Sequence, residues 1–452
     1  MQGGCADQED EGRRERRRGR NGMRAMLALG TAKVDITPLK PVPLAGFMKR
    51  AGPFDGISQP LYARILFFEQ EEIPGRKRAA VLVSADIIWW GQELTARLQH
   101  RLAERWGIRE PFVILHATHT HSAPQTTYRF TPSLGKPDSG YMERLEERVF
   151  AGIEAAAGRV EPVMAERGRG ECHFGIHRRK RIGGRMEMAP NPDGPADPEV
   201  NVVRFYTRSG QTKAVLVHFT CHPTTTEENF VSPEYPGVAM EKIERSLDAE
   251  AVAAFLQGCC GDIRPALVRS GRFYRGSRKE VAMLGNTLAN EAIRLLQQPM
   301  ESLRPCRLTG RTASISLPFQ KLPTTAELEQ VKDQPTVIGE WARLLLQEPE
   351  RIRPGIPLKI NWLKLVEGLS LLTMNAEIVV EYGLFVKRQL GGSVLPVPYS
   401  NGMIGYVPTA GQVAEGGYEA RDSLLYFGLP APFAPSIEEE IYSAILNLIE
   451  EK

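Results

Sequence analysis

The sequence predicts a mixed α/β (α+β) fold in which sheets and helices lie in layers. Two observations predict it. Short runs rich in Val, Ile and Leu alternate with stretches of helical periodicity, and strands alternating with helices build layered domains. Several of the apolar runs also end in histidine or in Gly-Asp, at strand exits, where layered α/β proteins tend to carry their functional residues.

In chain order, Ala80–Ile88 reads as a buried strand, and Gln92–Trp106 as a helix with Leu94, Leu98 and Leu102 on one face. Phe112–His116 is the next strand and Tyr141–Ala157 the next helix. Val202–Tyr206 and Ala214–Thr220 read as strands, and Pro236–Leu247 as a helix opened by its proline. Ala251–Leu256 is a strand and Lys279–Leu296 a helix. Further on, Cys306–Leu317 and Leu371–Val380 have strand character, Thr325–Leu346 and Ser436–Glu450 helical character. Met186–Pro198 is a Pro/Gly/Asp loop and Leu267–Arg278 an Arg-rich one. No repeat and no linker interrupts the chain, so residues 26–452 are expected to form one large catalytic domain.

With 452 residues, 42% hydrophobic and 25% charged, the chain can bury a large core. A net charge of +3 makes no case for nucleic acid. Part of the excess sits in Arg13, Arg14, Arg16, Arg17, Arg18 and Arg20. Residues 1–25 thus read as a disordered basic arm or as a stretch upstream of a start at Met23 or Met26. Met26–Leu29 is too short for a signal core or a membrane span. A cytoplasmic protein without a transmembrane segment is expected. The six cysteines form no C-x-x-C pair, and adjacent Cys259 and Cys260 in an apolar run read as buried thiols.

Five segments carry candidate chemistry. Phe112–Pro124 ends an apolar strand in His116, His119 and His121. Imidazole is the commonest zinc ligand. If the strand stays extended, His119 and His121 share one face and His116 takes the other. An H-x-H-x-D-H pattern is absent, because Ala123 and Pro124 stand where its acid and histidine would be. Val215–Thr226 ends in His222, which precedes a ladder-stopping proline; His218, inside the run, reads as a hydrogen-bonded core residue. These two segments hold five of the eight histidines, which favours a shared site. Ala254–Pro265 runs into Gly258, Gly261 and Asp262, the glycines permitting a tight turn or a close backbone approach to a ligand. Asp262 either orients a histidine or caps a turn. Glu377 lies in the apolar stretch Leu371–Val380, where a carboxylate is costly unless paired, metal-bound or at an exposed edge. Tyr406, in Tyr399–Thr409, is by itself an ordinary loop phenol.

Taken together, these segments resemble the catalytic domain of neutral (non-lysosomal) ceramidases. Val34–Phe47 (VDITPLKPVPLAGF) resembles that family's D-I-T-P start, THTHSAP its T-H-T-H-S-G-P, and CHPTTT its T-H-P-T-S. GCCGDIRP resembles its G-D-V-S-P-N segment, NAE stands where the family has P-G-E, and NGMIGYVPT resembles its N-x-x-x-x-Y-I-x-T. The resemblance implies a zinc amidase with His119, His222, Glu377 and Tyr406 as metal ligands and His121 facing the substrate carbonyl. Arg178 would line the site. It also implies a small-molecule N-acyl substrate, ceramide or another, cleaved by metal-activated water.

Two departures stand out. Arg264 occupies the family's serine position and Ala266 its asparagine, so a mechanism using that hydroxyl as nucleophile is excluded. Arg264 suggests either an anionic group on the substrate or a structural ion pair. The sequence also ends where the family usually continues into a C-terminal β-sandwich, so none is expected. A catalytically altered relative that binds metal or an acyl ligand, and a carbohydrate or peptide deacylase, are the alternatives.

Overall fold

The computed structural model describes residues 26–450 apart from 51, 248 and 249; the basic stretch 1–25 lies outside the described residues. Three larger sheets frame the structure. In the first, β1 (Ala28–Asp35) pairs with β2 (Tyr62–Ile73), which forms a hairpin with β3 (Arg76–Ala85). Helix α1 (Gln92–Trp106) then crosses to β4 (Val113–Ala117), parallel to β3. Helix α2 (Ser139–Ala157) leads towards the second sheet. There β5 (Met164–Glu171) flanks the hairpin of β6 (Glu199–Tyr206) and β7 (Thr212–Phe219), and α3 (Glu234–Arg245) crosses to β8 (Val252–Gln257), parallel to β7. After α4 (Arg278–Leu296), the third sheet sets β9 (Thr309–Pro318) beside the hairpin of β10 (Gly355–Val366) and β11 (Leu369–Met374). Helix α5 (Val380–Gln389) crosses to β12 (Val394–Val397), parallel to β11. A hairpin, a helix and a parallel strand thus recur three times without any repeat in the sequence.

Strand alternation sorts the side chains. Leu66 and Phe68 of β2, Ala80 and Leu82 of β3, Val203 and Phe205 of β6, Leu216 of β7 and Leu369 and Leu371 of β11 share one buried cluster. It is built almost wholly of strand residues from all three sheets. The intervening residues, among them Ile65, Phe67, Val81, Val83, Val215 and Val217, pack in a second core with Leu94, Leu98 and Leu102 of α1. Both faces of these strands are therefore covered, which is why the sequence runs are continuously apolar.

Most elements fall where the sequence places them, and the departures have local causes. Thr325–Leu346 is two helices, Thr325–Val331 and Val337–Gln347, because Pro335 cannot continue the first. Leu371–Val380 breaks after Met374 into a short ladder at Glu377–Ile378 and then α5. Helix α3 starts at Glu234, two residues before Pro236, which lies in the first turn, where its missing N–H costs nothing. The loop expected over Met186–Pro198 begins inside a strand, Arg185–Asn191. That strand is the edge of its sheet, so Pro190 forfeits no ladder bond. Among the described residues no disulfide forms, Cys259 and Cys260 are buried thiols, and no helix is long and apolar enough to cross a membrane.

Phe205 is fully buried in the strand core, edge-on to Phe68 with centroids 5.5 Å apart. Phe205→Ala is expected to cost about 3–5 kcal/mol, read as a lowered urea midpoint.

Candidate active site

The first unit delivers two imidazoles from beyond β4. The strand stops at Ala117, so the extended alternation expected through His121 does not occur. Instead His119 takes a left-handed backbone, φ 67°, a conformation costing about 1–3 kcal/mol for a non-glycine residue. It is held by its N–H on Ile87 O (3.0 Å), its Nδ1 on Ile88 O (2.7 Å) and the Tyr399 ring, 4.3 Å between centroids. His121 Nε2 then lies 3.3 Å from His119 Nε2, and its Nδ1 3.3 Å from Gly46 O. Gly46 has φ 93°, and a Cβ there would lie 2.4 Å from His121 Nδ1, so this site needs its glycine. His116 stays in the strand and is structural. Its Nε2 accepts from Gln257 N–H (2.9 Å), and its Nδ1 lies 3.1 Å from Ser400 Oγ, tying the sheets together.

The second unit delivers His222 from beyond β7. Its backbone N–H donates to Ile263 O (3.1 Å), and its Nδ1 faces the Cys260 and Ile263 carbonyls. The third delivers Glu377 and Tyr406, paired across a short parallel ladder. Gly261 joins the two units: its N–H donates to Ile378 O at 2.8 Å, and a Cβ would lie 3.0 Å from that carbonyl. The close approach of this glycine is thus to another backbone segment and not, as expected, to a ligand. Asp262 does orient a histidine, but His177 and not a member of the cluster. Its Oδ2 is 3.1 Å from His177 Nε2 and accepts from Gln412 Nε2 at 2.8 Å, while Oδ1 accepts from Val380 N–H at 2.9 Å. Burial and the charge of Asp262 push neighbouring Glu381 up to about 8. His218 is a core residue, its Nε2 2.8 Å from Pro396 O.

At the centre, His119 Nε2 and His222 Nε2 are 3.1 Å apart, and Glu377 Oε2 is 3.3 Å from each. Glu377 is 1% exposed, which removes the edge-strand alternative. Each of the two Nδ1 atoms faces a carbonyl and so carries the proton, leaving both Nε2 atoms as lone pairs. Burial lowers His222 to about 4. Glu377 Oε2 receives no hydrogen bond. A cation at this point would satisfy all three atoms, and His119, His121 and His222 offer nitrogens within 4.8 Å of one another. Tyr406 OH lies 3.5 Å from His222 Nε2 and accepts from Arg178 Nη2 at 3.1 Å. Burial and Glu377 raise this phenol, and Arg178 opposes them.

A cavity of about 410 Å³ opens onto this cluster. His121, Tyr406, Arg178, Arg264 and Arg275 line it, with Phe47 and Met188 among the apolar residues. Arg178 is braced by Glu419, Nε to Oε1 at 2.8 Å. Of the Arg-rich loop, Arg275 alone lines the cavity; Arg269 and Arg272 form a small exposed hairpin. Sequence reasoning missed Glu419, Gly46 and Phe47, although the Ala-Gly-Phe ending of Val34–Phe47 was a signal for the latter two. A larger cleft of about 670 Å³ near Lys33 and Lys213 holds none of the converging residues.

The chain belongs to the neutral/alkaline non-lysosomal ceramidase family, whose N-terminal domain model matches residues 27–280. It is similar to the neutral ceramidases of Pseudomonas aeruginosa, 27% identical over 254 residues, and Mycobacterium tuberculosis, 26% identical over 261. Each match covers 53% of this chain but only 37% and 40% of those relatives' length. The crystal structure of the P. aeruginosa neutral ceramidase superposes with a TM-score of 0.72 at 20% identity, covering 94% of this chain and 74% of that one. A structure described as ceramidase complexed with C2 gives a TM-score of 0.73 at 19% identity, with the same coverage. The shared fold thus extends well past the residues matched by the family model.

Burial lowers His116 to about 3 and His218 to about 4. Both stay neutral in the fold while the unfolded chain protonates near 6.5. The unfolded state therefore binds more protons below that pH, and the contribution present above 6.5 is lost as pH falls towards 3–4. Urea midpoints are expected to drop between pH 7 and pH 4.5, with a shallower slope in His116→Gln and His218→Gln.

Proposed function

We propose that the chain is a zinc-dependent amidohydrolase cleaving an N-acyl amide, ceramide or a relative of it, with water as the nucleophile. The observation that carries this reading is the buried pair of facing Nε2 lone pairs with the unsatisfied Glu377 Oε2 between them. Nitrogen and carboxylate donors of this kind suit zinc. His119, His222, Glu377 and Tyr406 would hold the ion, which supplies a Lewis acid that acidifies water and polarises a carbonyl.

The remaining residues have separable tasks. His121 is half-buried and lines the cavity, whereas His119 and His222 are fully enclosed. That makes His121 the imidazole available to substrate. Burial, with His119 and His222, holds it well below 6.5, so at neutral pH it is an uncharged base. With Nδ1–H on Gly46 O, its Nε2 accepts a proton from the attacking water and returns it to the leaving amine. Arg178 fixes the Tyr406 hydroxyl and presents positive charge where negative charge develops on the carbonyl oxygen. Arg264, in the position of the family serine, offers no nucleophile.

The purified chain is expected to carry about one zinc, lost in His119→Ala and Glu377→Ala, in line with three-to-four-ligand sites. Hydrolysis of N-acyl amides should fall at least 100-fold in both variants and on chelation, and return with zinc. A metal-free active protein, or full activity in His119→Ala, would reject the proposal. His121→Gln should keep the metal and lose roughly 100-fold or more in kcat, the scale of general acid–base catalysis.

A further inference from the structure

Arg264 is 5% exposed, yet among the described residues it makes no ion pair and no side-chain hydrogen bond. Its Nε is buried without a partner, and its one side-chain contact of note is with the Phe273 ring, 4.3 Å from the guanidinium. This removes the structural ion pair as the reason for an arginine there. The backbone beneath it is regular: Arg264 pairs with Ile176 in the ladder that also sets His177 opposite Ile263. The side chain is therefore fixed in the cavity wall by its strand.

Its neighbours do not neutralise it. Arg178 and Arg275 line the same cavity, as does Lys49. Arg178 spends its carboxylate contact on Glu419, which Arg179 shares at 2.7 Å. Arg275 donates to Thr224 O at 2.9 Å and reaches Glu227, the one carboxylate lining the cavity among the described residues, at 3.6 Å. Burial, then Arg275 and Arg178, lower Arg264 to about 9. Charged groups so placed call for an anion, and guanidinium forks match carboxylate and phosphoryl oxygens best.

We infer that the cavity takes N-acyl amides whose amine portion bears an anion next to the scissile bond, an N-acyl amino acid or an N-acyl amine phosphate, with Arg264 and Arg275 as the anion receptor. The placement beside the bond follows from Arg178, which reaches from this cationic wall to the hydroxyl of Tyr406. The thioether of Met188 is left for the acyl chain, whereas the Phe47 ring supports the Arg275 guanidinium at 4.7 Å. This inference rests on the hydrolase reading for its chemistry, but the anion preference is measurable without turnover.

The test compares N-octanoylglycine, its uncharged partner N-octanoylglycinamide, and N-octanoyl-phosphoethanolamine. In calorimetric titrations of metal-stripped protein, at least one anion should bind tenfold or more tighter than the amide. The stronger of the two identifies the anion. Arg264→Gln should bring that ratio close to one, and Arg264→Lys should keep part of it. In metal-loaded protein, kcat/KM should follow the same order, with the variant's loss expressed in KM. Equal binding of acid and amide by the parent, or an unchanged ratio in Arg264→Gln, overturns the inference; the parent comparison decides even if the variant does not fold. Selective anion binding without turnover of any probe would reject the hydrolase reading and leave the receptor standing.

Discussion

Two imidazole lone pairs and a carboxylate oxygen, buried and held about 3 Å apart, repel one another, and the proposed cation would join them. The surrounding architecture serves that constraint. The carbonyls of Ile88, Cys260 and Ile263 fix the protons on the far side of each ring. The left-handed backbone of His119 turns its ring towards His222, and Gly261 lets the segment after β8 lie against the backbone of Ile378. None of these devices improves the packing of the core. The left-handed backbone of His119 costs some stability, which the buried sheets must supply.

The three sheets explain how such a cluster can be rigid. In every unit the parallel strand pair aims its carboxyl ends the same way, and the functional residues lie just past those ends. This is the location that open parallel sheets favour for ligands. Here it is reached three times from three separate sheets, whose inner strands are covered on both faces. His116, bonded to Gln257 N–H on one side and Ser400 on the other, fastens the sheets directly beneath the site.

How much of this was legible depended on the kind of residue. His119, His222 and Glu377 could be singled out because polar groups at the ends of apolar runs conflict with burial unless they have a task. Tyr406 carried no such conflict, since a phenol in a turn is ordinary, and it emerged only through family resemblance. The long helices Gln92–Trp106 and Lys279–Leu296 were readable from periodicity, whereas β1, β2 and β10 were not singled out. Pairing partners across nearly 300 residues, such as Leu115 N–H with the Asn401 side chain, leave no local trace. The histidine that Asp262 orients could not be read either, because the choice of His177 depends on the register of a neighbouring ladder. Arg264 was ambiguous in the sequence for a physical reason: charge complementarity is a property of the surroundings, and only the lack of partners around the guanidinium among the described residues distinguishes a receptor from a strut.

The recurrence of the hairpin, helix and parallel strand has a kinetic corollary. Residues 119, 222, 377 and 406 each belong to a different stretch of chain, and no two units alone bring all four together. Capture of the proposed ion at full strength would then wait for the last sheet to dock, since long-range closure is slow and local order comes first. By mass action, the tighter the ion is held, the more the closed arrangement is favoured over any partly opened one. For the proposed metal site, ion affinity would thus be a gauge of the whole molecule, and a substitution far away in the strand core would register there as faster ion loss.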